Sequence, residues 1–568
     1  MSSKEKTRGL TKYVPILSWL PNYNRAWLNA DVIAGLTLFG LVVPEAMAYA
    51  GIAGLPPQAG LYTLLAALLV YALFGTSRHL NVAGTSASSV LIASTVVALG
   101  ASTGDMDTYQ AYAIALVLVV GVVFLVAGLA RLGFITQFLS KPVMDGFVTG
   151  LAIFVAVGQL NKLFGVEKGE GNTIVKIVDV IKQLPEANWV AFAVGATALA
   201  LLFLLPHLNK RIPAGLVVLV GYILLSTVLD LNGNYGVAVV GTVPKGLPMP
   251  SLPKVPLSIY ASMVLPAIGV LLVVYSESLG VAHEFAAKHG YEVDPDQELN
   301  ALAVTNIVSG LFGGMIAGGS MSSSAVKEGA GAHSQVANLV TWVATVLTIL
   351  FLTPLFTNLP EAVLGALIIH AVWHLIIARK LHQIRLVTRT GFWLGVITMA
   401  GVLLIDVLQG MIIGLVCSLL LVVYKSSRPH ISSLGRIPGI PGAYADLIRH
   451  PENVPVPGVL ILRLDSPLYY ANALTVQDRV KTLVDETEPL PRAVILDATV
   501  QEELDVTGAE MLKGLVMNLQ GKGVSVYVAE VHAPAAEFSR RTGLYDLIGE
   551  EHMFPTVDAA VRSLEASA

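Results

Sequence analysis

Charged residues and cysteine are both scarce in this 568-residue chain. Only 13% of its residues are Asp, Glu, Lys or Arg, while 54% are hydrophobic. Soluble globular proteins carry about 25% charged residues, so a soluble enzyme of this length is disfavoured. The single cysteine, Cys417, excludes a disulfide framework and a cysteine-based metal site. The formal net charge of −4 gives no basis for binding nucleic acid.

The charges that are present are unevenly distributed. Residues 427–568 hold 31 of them and residues 1–426 hold 43, which is roughly 22% against roughly 10%, and ordinary soluble domains are near the first value. We therefore predict a membrane domain followed by a soluble domain. The predicted boundaries are 1–28 for a cytoplasmic N-terminus, 29–425 for the membrane domain, 426–452 for a linker and 453–568 for the soluble domain.

Long apolar runs identify the membrane segments. A helical span needs about 20 apolar residues, and twelve such runs are present. They lie near residues 32–53, 60–75, 109–130, 143–160, 187–206, 213–231, 259–280, 298–316, 335–356, 361–378, 391–408 and 410–424. Two more segments, after Gly84 and after Ser322, are short and rich in small residues, so we predict fourteen in all. No cleavable signal peptide is visible after the basic residues Lys4 to Lys12.

Basic loops orient these segments by the positive-inside rule. With a cytoplasmic N-terminus, four of the five inside loops are clearly basic, and the outside loop 354–360 has no Lys or Arg. One loop disagrees. Residues 162–186 should be outside, yet they contain four lysines: Lys162, Lys168, Lys176 and Lys182. The loops that agree with the rule outnumber this one. They predict a multi-pass protein of a cell membrane, such as the bacterial inner membrane, with the N-terminus and the soluble domain in the cytoplasm.

The C-terminal residues predict a small α/β domain. Strands alternate with helices there, which indicates one mixed sheet. The expected strands are 459–464, 493–496 and 524–528, and the expected helices are near 474–487, 506–520 and 532–542.

An ordered set of motifs resembles the sulfate permease (SulP) family of anion transporters. The motifs are Asp31-Val-Ile-Ala-Gly35, Pro44-Glu-Ala-Met-Ala-Tyr49, Gly54-Leu-Pro-Pro-Gln-Ala-Gly-Leu-Tyr62, Phe74-Gly-Thr-Ser-Arg78, Gly146-Phe-Val-Thr-Gly150, Glu298-Leu-Asn300 with Asn306, Gly313-Gly314, and Asp406 with Gly410 and Gly414. The tail resembles a STAS domain, named for sulfate transporters and anti-sigma-factor antagonists. The resemblance covers about residues 28–565.

The resemblance implies a polytopic α-helical membrane protein with two inverted repeats of seven segments, about 29–231 and 259–425, followed by a cytoplasmic STAS domain. It also implies a homodimer. The third segment of each repeat is a short half-helix, and the two meet end to end at the bilayer midplane. The sequence agrees, because Gly84-Thr-Ser-Ala-Ser-Ser89 and Gly318-Gly-Ser-Met-Ser-Ser-Ser324 fall third in each half and carry helix-start residues.

Two facing helix starts form an anion site, because each presents unpaired N–H groups and about half a positive charge. The predicted substrate contacts are Thr85, Ser86, Ala87, Ser88, Ser320, Ser322, Ser323 and Ser324. The alternative is that these small residues only permit close helix packing.

At one position the chain departs from the resemblance. Many family members carry an arginine in a Ser-Arg-Ser run of the second half-helix, and Ser323 stands there in this sequence. Lys327 follows one turn later, and the sequence is equally consistent with a side chain that points away from the anion site. Loss of a fixed cation weakens the binding of a divalent anion, so the sequence favours a monovalent or protonated substrate over sulfate.

Two carboxylates lie inside apolar spans. Glu45 follows Pro44 in the first span, and Glu277 stands between two serines in the eighth. A charged group at the bilayer centre costs at least ~2.5 kcal/mol, so such residues are usually functional, and we predict that both couple transport to protons. The alternative is a carboxylate held by broken-helix backbone or facing a water-filled vestibule. His370 and His374 are one turn apart without further ligands, so we expect no metal.

The tail contains Asp505-Val-Thr-Gly508 at a predicted helix start. In signalling STAS relatives this loop holds a phosphorylated Ser or Thr, and Thr507 occupies that position, so it is a candidate phosphosite. The alternative is an ordinary helix cap.

The leading hypothesis is a secondary active transporter of a small anion, of the sulfate, bicarbonate or dicarboxylate class, working as a proton symporter by alternating access. One rival is an anion channel or uncoupled exchanger on the same scaffold. A second is a membrane-tethered signalling protein with the STAS domain as its output. We expect neither an enzyme nor a cofactor, because the sequence has no P-loop, nucleophile elbow or metal cluster.

Overall fold

The computed structural model describes residues 11, 13–101, 104–138, 140–167, 169, 171–208, 214–242, 246–373, 375–376 and 378–566. The contacts divide the chain into two compact units, residues up to Ser418 and residues from Leu419. The first unit is helical, and the second contains a six-stranded sheet.

Helices in the first unit follow the predicted segments. In chain order they are α1 (Leu28–Ile52), α2 (Pro57–Phe74), α3 (Ser86–Ala98), α4 (Met106–Leu129), α5 (Lys141–Gly158), α6 (Trp189–Leu208), α7 (Ala214–Leu229), α8 (Leu257–His289), α9 (Pro295–Leu311), α10 (Met321–Gly329), α11 (Val336–Leu347), α12 (Glu361–Trp373), α13 (Arg389–Leu404) and α14 (Val407–Ser426). Shorter helices lie at Ile16–Trp19, Leu160–Phe164, Thr173–Gln183, Leu231–Tyr235 and Ala378–Val387, with single turns at Arg25–Trp27, Gly133–Phe138, Leu184–Glu186, Thr348–Leu352 and Thr353–Asn358.

Eight helices among the described residues are long and apolar enough to span a membrane. Four shorter apolar helices, α3, α7, α12 and α13, accompany them. A multi-pass helical membrane fold is therefore confirmed. The number of fourteen crossing segments stays a prediction, because α9 and α10 are neither long nor apolar enough to count by composition.

Glycines allow the helices to approach closely. A Cβ on Gly60 of α2 would lie 1.9 Å from the Ala46 carbonyl oxygen of α1. A Cβ on Gly146 of α5 would lie 2.1 Å from the Gly395 carbonyl oxygen of α13. Backbone contact at these crossings leaves no space for any larger side chain, as is common where membrane helices pack.

Two buried carboxylates from the motif set connect distant parts of the first unit. Glu298 accepts hydrogen bonds from the Tyr71 hydroxyl at 2.8 Å and from the Thr76 amide at 2.7 Å. Asp31 accepts from the His333 amide and from the Ser334 hydroxyl, both at 2.7 Å. Both carboxylates are paired, so they stabilise the packing of the two predicted repeats.

The lysine-bearing segment 162–186 forms two helices. Lys162 lies on Leu160–Phe164 and makes an ion pair with Glu361 at 3.7 Å. Lys176 lies on Thr173–Gln183, with its ammonium 3.9 Å from the centroid of the Phe154 ring. Lys168 lies outside the described residues. These contacts give two of the lysines partners within the protein, while the side of the membrane on which the segment lies stays a prediction.

The second unit is a mixed sheet flanked by helices. After strands β1 (Asn81–Gly84) and β2 (Ala317–Ser320) of the first unit, the strands of this sheet are β3 (Ile431–Arg436), β4 (Tyr444–Asp446), β5 (Val459–Leu464), β6 (Ala493–Asp497), β7 (Ser525–Ala529) and β8 (Met553–Phe554). Their order in the sheet is β4-β3-β5-β6-β7-β8. Strand β3 pairs antiparallel with β4 and β5, and the remaining pairs are parallel. The helices are α15 (Ala473–Asp485), α16 (Val506–Gly521), α17 (Ala533–Thr542), α18 (Leu544–Ile548) and α19 (Val557–Ala566), with a turn at Glu550–His552.

The segment 426–452 is not the linker that the sequence suggested. Strands β3 and β4 both lie in it, and β3 continues the sheet beyond β5, with Ile431 opposite Leu464. Ile431 is buried in one hydrophobic core of this unit, and Leu434, on the opposite face of β3, is buried in the other. The other predicted boundaries stay predictions.

Candidate functional site

A short two-stranded ladder brings the two predicted half-helices together. Strand β1 (Asn81–Gly84) leads into α3, and strand β2 (Ala317–Ser320) leads into α10. They pair antiparallel, with Asn81 opposite Ser320 and Gly84 opposite Ala317. The chain therefore enters the two half-helices in opposite directions, from opposite ends of a ladder that is roughly 10 Å long at ~3.4 Å per residue.

The first half-helix, α3, begins with a capping box. The Thr85 hydroxyl accepts from the Ser88 amide at 3.2 Å, and the Ser88 hydroxyl accepts from the Thr85 amide at 3.0 Å. This arrangement satisfies the Ser88 amide. The amides of Ser86 and Ala87 make no hydrogen bond to any described residue. These two N–H groups are free to bind a ligand.

The second half-helix, α10, begins at Ser320. The Ser320 hydroxyl accepts from the Ser323 amide at 3.4 Å and lies 3.2 Å from the Ser322 hydroxyl. Ser320 and Ser322 are partly exposed. The amides of Met321 and Ser322 make no hydrogen bond within the described chain, so this helix start also offers two donors.

Ser323 and Ser324 have a different environment from their neighbours. Both are buried, and both hold Asn81 of β1. The Asn81 side-chain amide donates to the Ser323 hydroxyl at 2.8 Å, and the Asn81 backbone amide donates to the Ser324 hydroxyl at 2.8 Å. Their hydroxyl groups therefore join the two half-helix regions. Sequence reasoning missed Asn81, since the partners are more than 240 residues apart.

Strand β2 is held in place by two neighbouring helices. The Asn306 side chain of α9 bonds both the amide and the carbonyl of Ala317, at 2.8 and 3.0 Å. The Ser278 hydroxyl of α8 accepts from the Gly319 amide at 2.7 Å. These contacts fix the position from which α10 starts.

The two predicted coupling carboxylates lie on helices that pack against both half-helices, α1 and α8. Glu45 is 9% exposed and makes no hydrogen bond to a described residue. Glu277 is partly exposed, and the neighbouring Ser276 hydroxyl is buried without a partner. The buried Tyr49 side chain lies within electrostatic range of both carboxylates. The structure thus brings Glu45, Glu277 and Tyr49 into one region, and the pattern of the sequence did not indicate Tyr49.

The remaining candidates lie elsewhere. Asp505 caps α16, since its carboxylate accepts from the Gly508 amide at 2.6 Å, and Thr507 is exposed on the first turn. His370 packs against the Phe203 ring, and His374 lies outside the described residues. Within the described residues no group of three or more His, Cys, Asp or Glu side chains is placed to hold a metal ion.

Known sequences match this chain over most of its length. The sequence profile of the Sulfate permease family matches residues 28–398, and that of the STAS domain matches residues 450–560. A probable sulfate transporter of Mycobacterium tuberculosis is 34% identical over 541 residues, which is 95% of this chain and 96% of that protein. The chloroplastic sulfate transporter 4.1 of Arabidopsis thaliana is 30% identical, over 96% of this chain and 82% of that protein.

Solved structures share the fold. Murine solute carrier 26 family member A9, an anion transporter in the inward-facing state, matches with a TM-score of 0.91 and 24% identity, over 100% of this chain and 96% of that one. The transmembrane domain of the cyanobacterial bicarbonate transporter BicA matches with a TM-score of 0.61 and 21% identity, over 70% of this chain and 98% of that one. The predicted fold class, a helical membrane domain with a C-terminal STAS domain, is confirmed.

Proposed function

The chain belongs to the sulfate permease family of anion transporters and carries a STAS domain, and on that premise we propose that it moves a small anion across the membrane by alternating access, as a proton symporter. The substrate is a small anion of the sulfate, bicarbonate or dicarboxylate class. Relatives named for sulfate and for bicarbonate support this range.

The observation that carries the proposal is the pair of opposed helix starts at the ends of the β1–β2 ladder. Each offers two free amides, from Ser86 and Ala87 on one side and from Met321 and Ser322 on the other. Backbone amides and helix dipoles bind anions without a full positive charge. Because only backbone amides contact the anion, and no charged side chain does, the anion can dissociate again.

Two carboxylates support proton coupling, because Glu45 and Glu277 lie on helices α1 and α8, which pack against both half-helices. A deprotonated Glu45 or Glu277 repels an anion bound at the helix starts, and a protonated one does not. Proton and anion therefore bind with positive linkage, and each raises the affinity for the other. A proton gradient then drives the anion uphill.

The test is uptake into proteoliposomes containing the purified full-length protein. Sulfate, bicarbonate, nitrate and a C4-dicarboxylate are offered separately, with and without an imposed inward proton gradient. We expect at least one of them to accumulate above its external concentration only when the gradient is present. Flux of an anion that never exceeds equilibrium would instead identify a channel or uncoupled exchanger, and absence of flux for all four would contradict anion transport.

A signalling role is the remaining alternative. It assigns the membrane domain to sensing and the STAS domain to output, with Thr507 as the modified residue. Transport by residues 29–425 alone would count against it, since a sensor has no need to translocate its ligand.

A further inference from the structure

Lys327 lies in the second turn of the second half-helix, α10, and it is fully buried, with 0% exposure. Every other lysine or arginine side chain that the structure describes is at least partly exposed. Removing an ammonium group from water is expensive unless something compensates it. A lone buried cation directly behind a proposed anion site needs an explanation.

The contacts of Lys327 accommodate a protonated ammonium group. Its Nζ donates to the Asn338 side-chain oxygen at 3.1 Å and to the carbonyl oxygens of Leu80 and Arg78 at 3.2 and 3.5 Å. All three partners are acceptors, and an ammonium group has three N–H donors. No carboxylate contacts it among the described residues.

Asp31 is the carboxylate within electrostatic range of this ammonium group. Its two oxygens are already engaged, by the Tyr23 hydroxyl at 2.9 Å and by the amide and hydroxyl groups of residues 333 and 334. Asp31 therefore offsets part of the charge of Lys327 without forming a contact ion pair.

The packing around Lys327 does not require a charged side chain at this position. The Leu80 carbonyl oxygen already accepts from the Gln335 side-chain amide at 2.9 Å, and the Asn338 side-chain amide lies 3.5 Å away. Gln335 also donates to the Ser77 carbonyl at 2.7 Å. Neutral amides thus hold this turn of the chain, and a neutral residue at position 327 would serve for packing.

A single peptide group connects Lys327 to the start of α10. The Leu80 carbonyl accepts from Lys327, and the N–H of the same peptide, on Asn81, donates to the Ser324 hydroxyl. The Asn81 side chain donates to Ser323 in the same turn. The positive charge therefore lies close behind the first turn of the half-helix and polarises the peptide that supports it.

We propose that Lys327 is a positioning residue that supplies the fixed positive charge of the anion site from behind the second half-helix, and that it sets the preference between monovalent and divalent anions. This inference rests on the proposed function. The attraction of a fixed charge scales with the charge on the ligand. Over a separation on the order of 10 Å at an effective dielectric constant of about 20, it corresponds to roughly tenfold in affinity per anion charge.

Two substitutions cancel the positive charge of Lys327 in different ways. Lys327→Gln keeps hydrogen-bond donors at the position but is neutral. Asn338→Asp leaves the lysine in place and puts a carboxylate of the same shape against its ammonium group. Lys254→Gln, at an exposed lysine in the loop before α8, makes the same charge change outside the half-helices and is the control.

The measurement is the KM for one monovalent anion, nitrate, and one divalent anion, sulfate, in proteoliposomes at the same mildly acidic pH. We expect both variants to raise the KM by roughly tenfold for nitrate and roughly a hundredfold for sulfate, while the control leaves both unchanged. A merely structural lysine would change both anions equally, and Asn338→Asp would strengthen its contacts.

Equal effects on the two anions, or an unchanged KM in Asn338→Asp, would overturn the assignment. If Lys327→Gln does not fold, the isosteric Asn338→Asp variant still decides the question. The proposed function is tested separately, because it fails only if the wild-type protein itself transports neither these anions nor the others in the screen.

Discussion

Ser322 and Ser323 are neighbours in the sequence but make different contacts. Ser322 is partly exposed and its amide is free, whereas Ser323 is buried and holds Asn81. The eight residues predicted as substrate contacts therefore divide into two groups. The free amides of Ser86, Ala87 and Ser322 are the candidates for direct binding. The other five residues support the backbone that presents these amides: Thr85, Ser88, Ser320, Ser323 and Ser324.

Ser322→Trp is expected to abolish uptake, because the indole would occupy the space in front of the free amides at the start of α10. Expression and membrane insertion should stay normal. Val326→Trp is the matched control. Val326 is on the next turn of the same helix and is 36% exposed, so the ring has space there. Uptake by the Ser322 variant at the rate of the control would contradict the placement of the site.

Only part of this site could be predicted from individual residues. Runs of glycine and serine indicate helix starts from local sequence alone, so Thr85, Ser86 and Ser320 could be predicted. Asn81 and Tyr49 were not, because their importance depends on partners elsewhere in the chain. The orientation of Lys327, which sequence left open, is decided by the acceptors at Leu80 and Asn338.

Strand β2 is the element on which the geometry of the second half-helix depends, and glycine is required at one of its positions. A Cβ on Gly319 would lie 2.8 Å from the Cα atom of Ser278, so β2 would have to move away from α8. In contrast, a Cβ on Gly84 of β1 would meet only the terminal methyl group of Met315, at 2.9 Å. A flexible side-chain end moves readily and a backbone atom does not.

Gly319→Ala is therefore expected to lose most of the uptake, through loss of the bond from the Gly319 amide to Ser278, whereas Gly84→Ala should retain it. Initial uptake rates normalised to inserted protein give the comparison. Equal activity of the two alanine variants would show that the position of β2 is not critical.

Elements with a strong local pattern were predicted well. The expected strands at 459–464, 493–496 and 524–528 match β5, β6 and β7 to within one residue at each end. Strands β3 and β4 were missed because Pro429, Pro438 and Pro441 made their region resemble a linker. Strands β1 and β2 are four residues long and glycine-containing, so no alternation of side chains could indicate them.

The whole chain separates into an apolar helical unit and a charged α/β unit, and the uneven charge distribution of the sequence anticipated this division. The residues proposed for binding and coupling all lie in the first unit. The sheet of the second unit has its own buried core, and its strands pair with each other. The second unit therefore has what a domain needs to fold.

Removal of residues 429–568 is expected to leave a membrane domain that inserts and transports slowly. The family resemblance implies a homodimer in which the tail helps to hold the protomers together, so we expect this dimer to weaken. Uptake assays and the mass of the detergent-solubilised particle measure the two effects. Complete loss of flux with intact insertion would show that the STAS domain is required for transport itself.

We assign proton coupling to Glu45 and Glu277, and uphill uptake by glutamine variants tests this assignment. Glu45→Gln and Glu277→Gln each mimic the protonated carboxyl group, so the anion should still bind and exchange at equal pH. Glu284→Gln, at an exposed position on the same helix as Glu277, is the control.

The measurement is accumulation of the transported anion under an imposed inward proton gradient, beside counterflow at equal pH. We expect the wild type and Glu284→Gln to accumulate the anion, while the Glu45 or Glu277 variant exchanges it without accumulation. Full proton-driven accumulation by both the Glu45→Gln and the Glu277→Gln variants would contradict this assignment, because neither carboxylate would then carry the coupling proton.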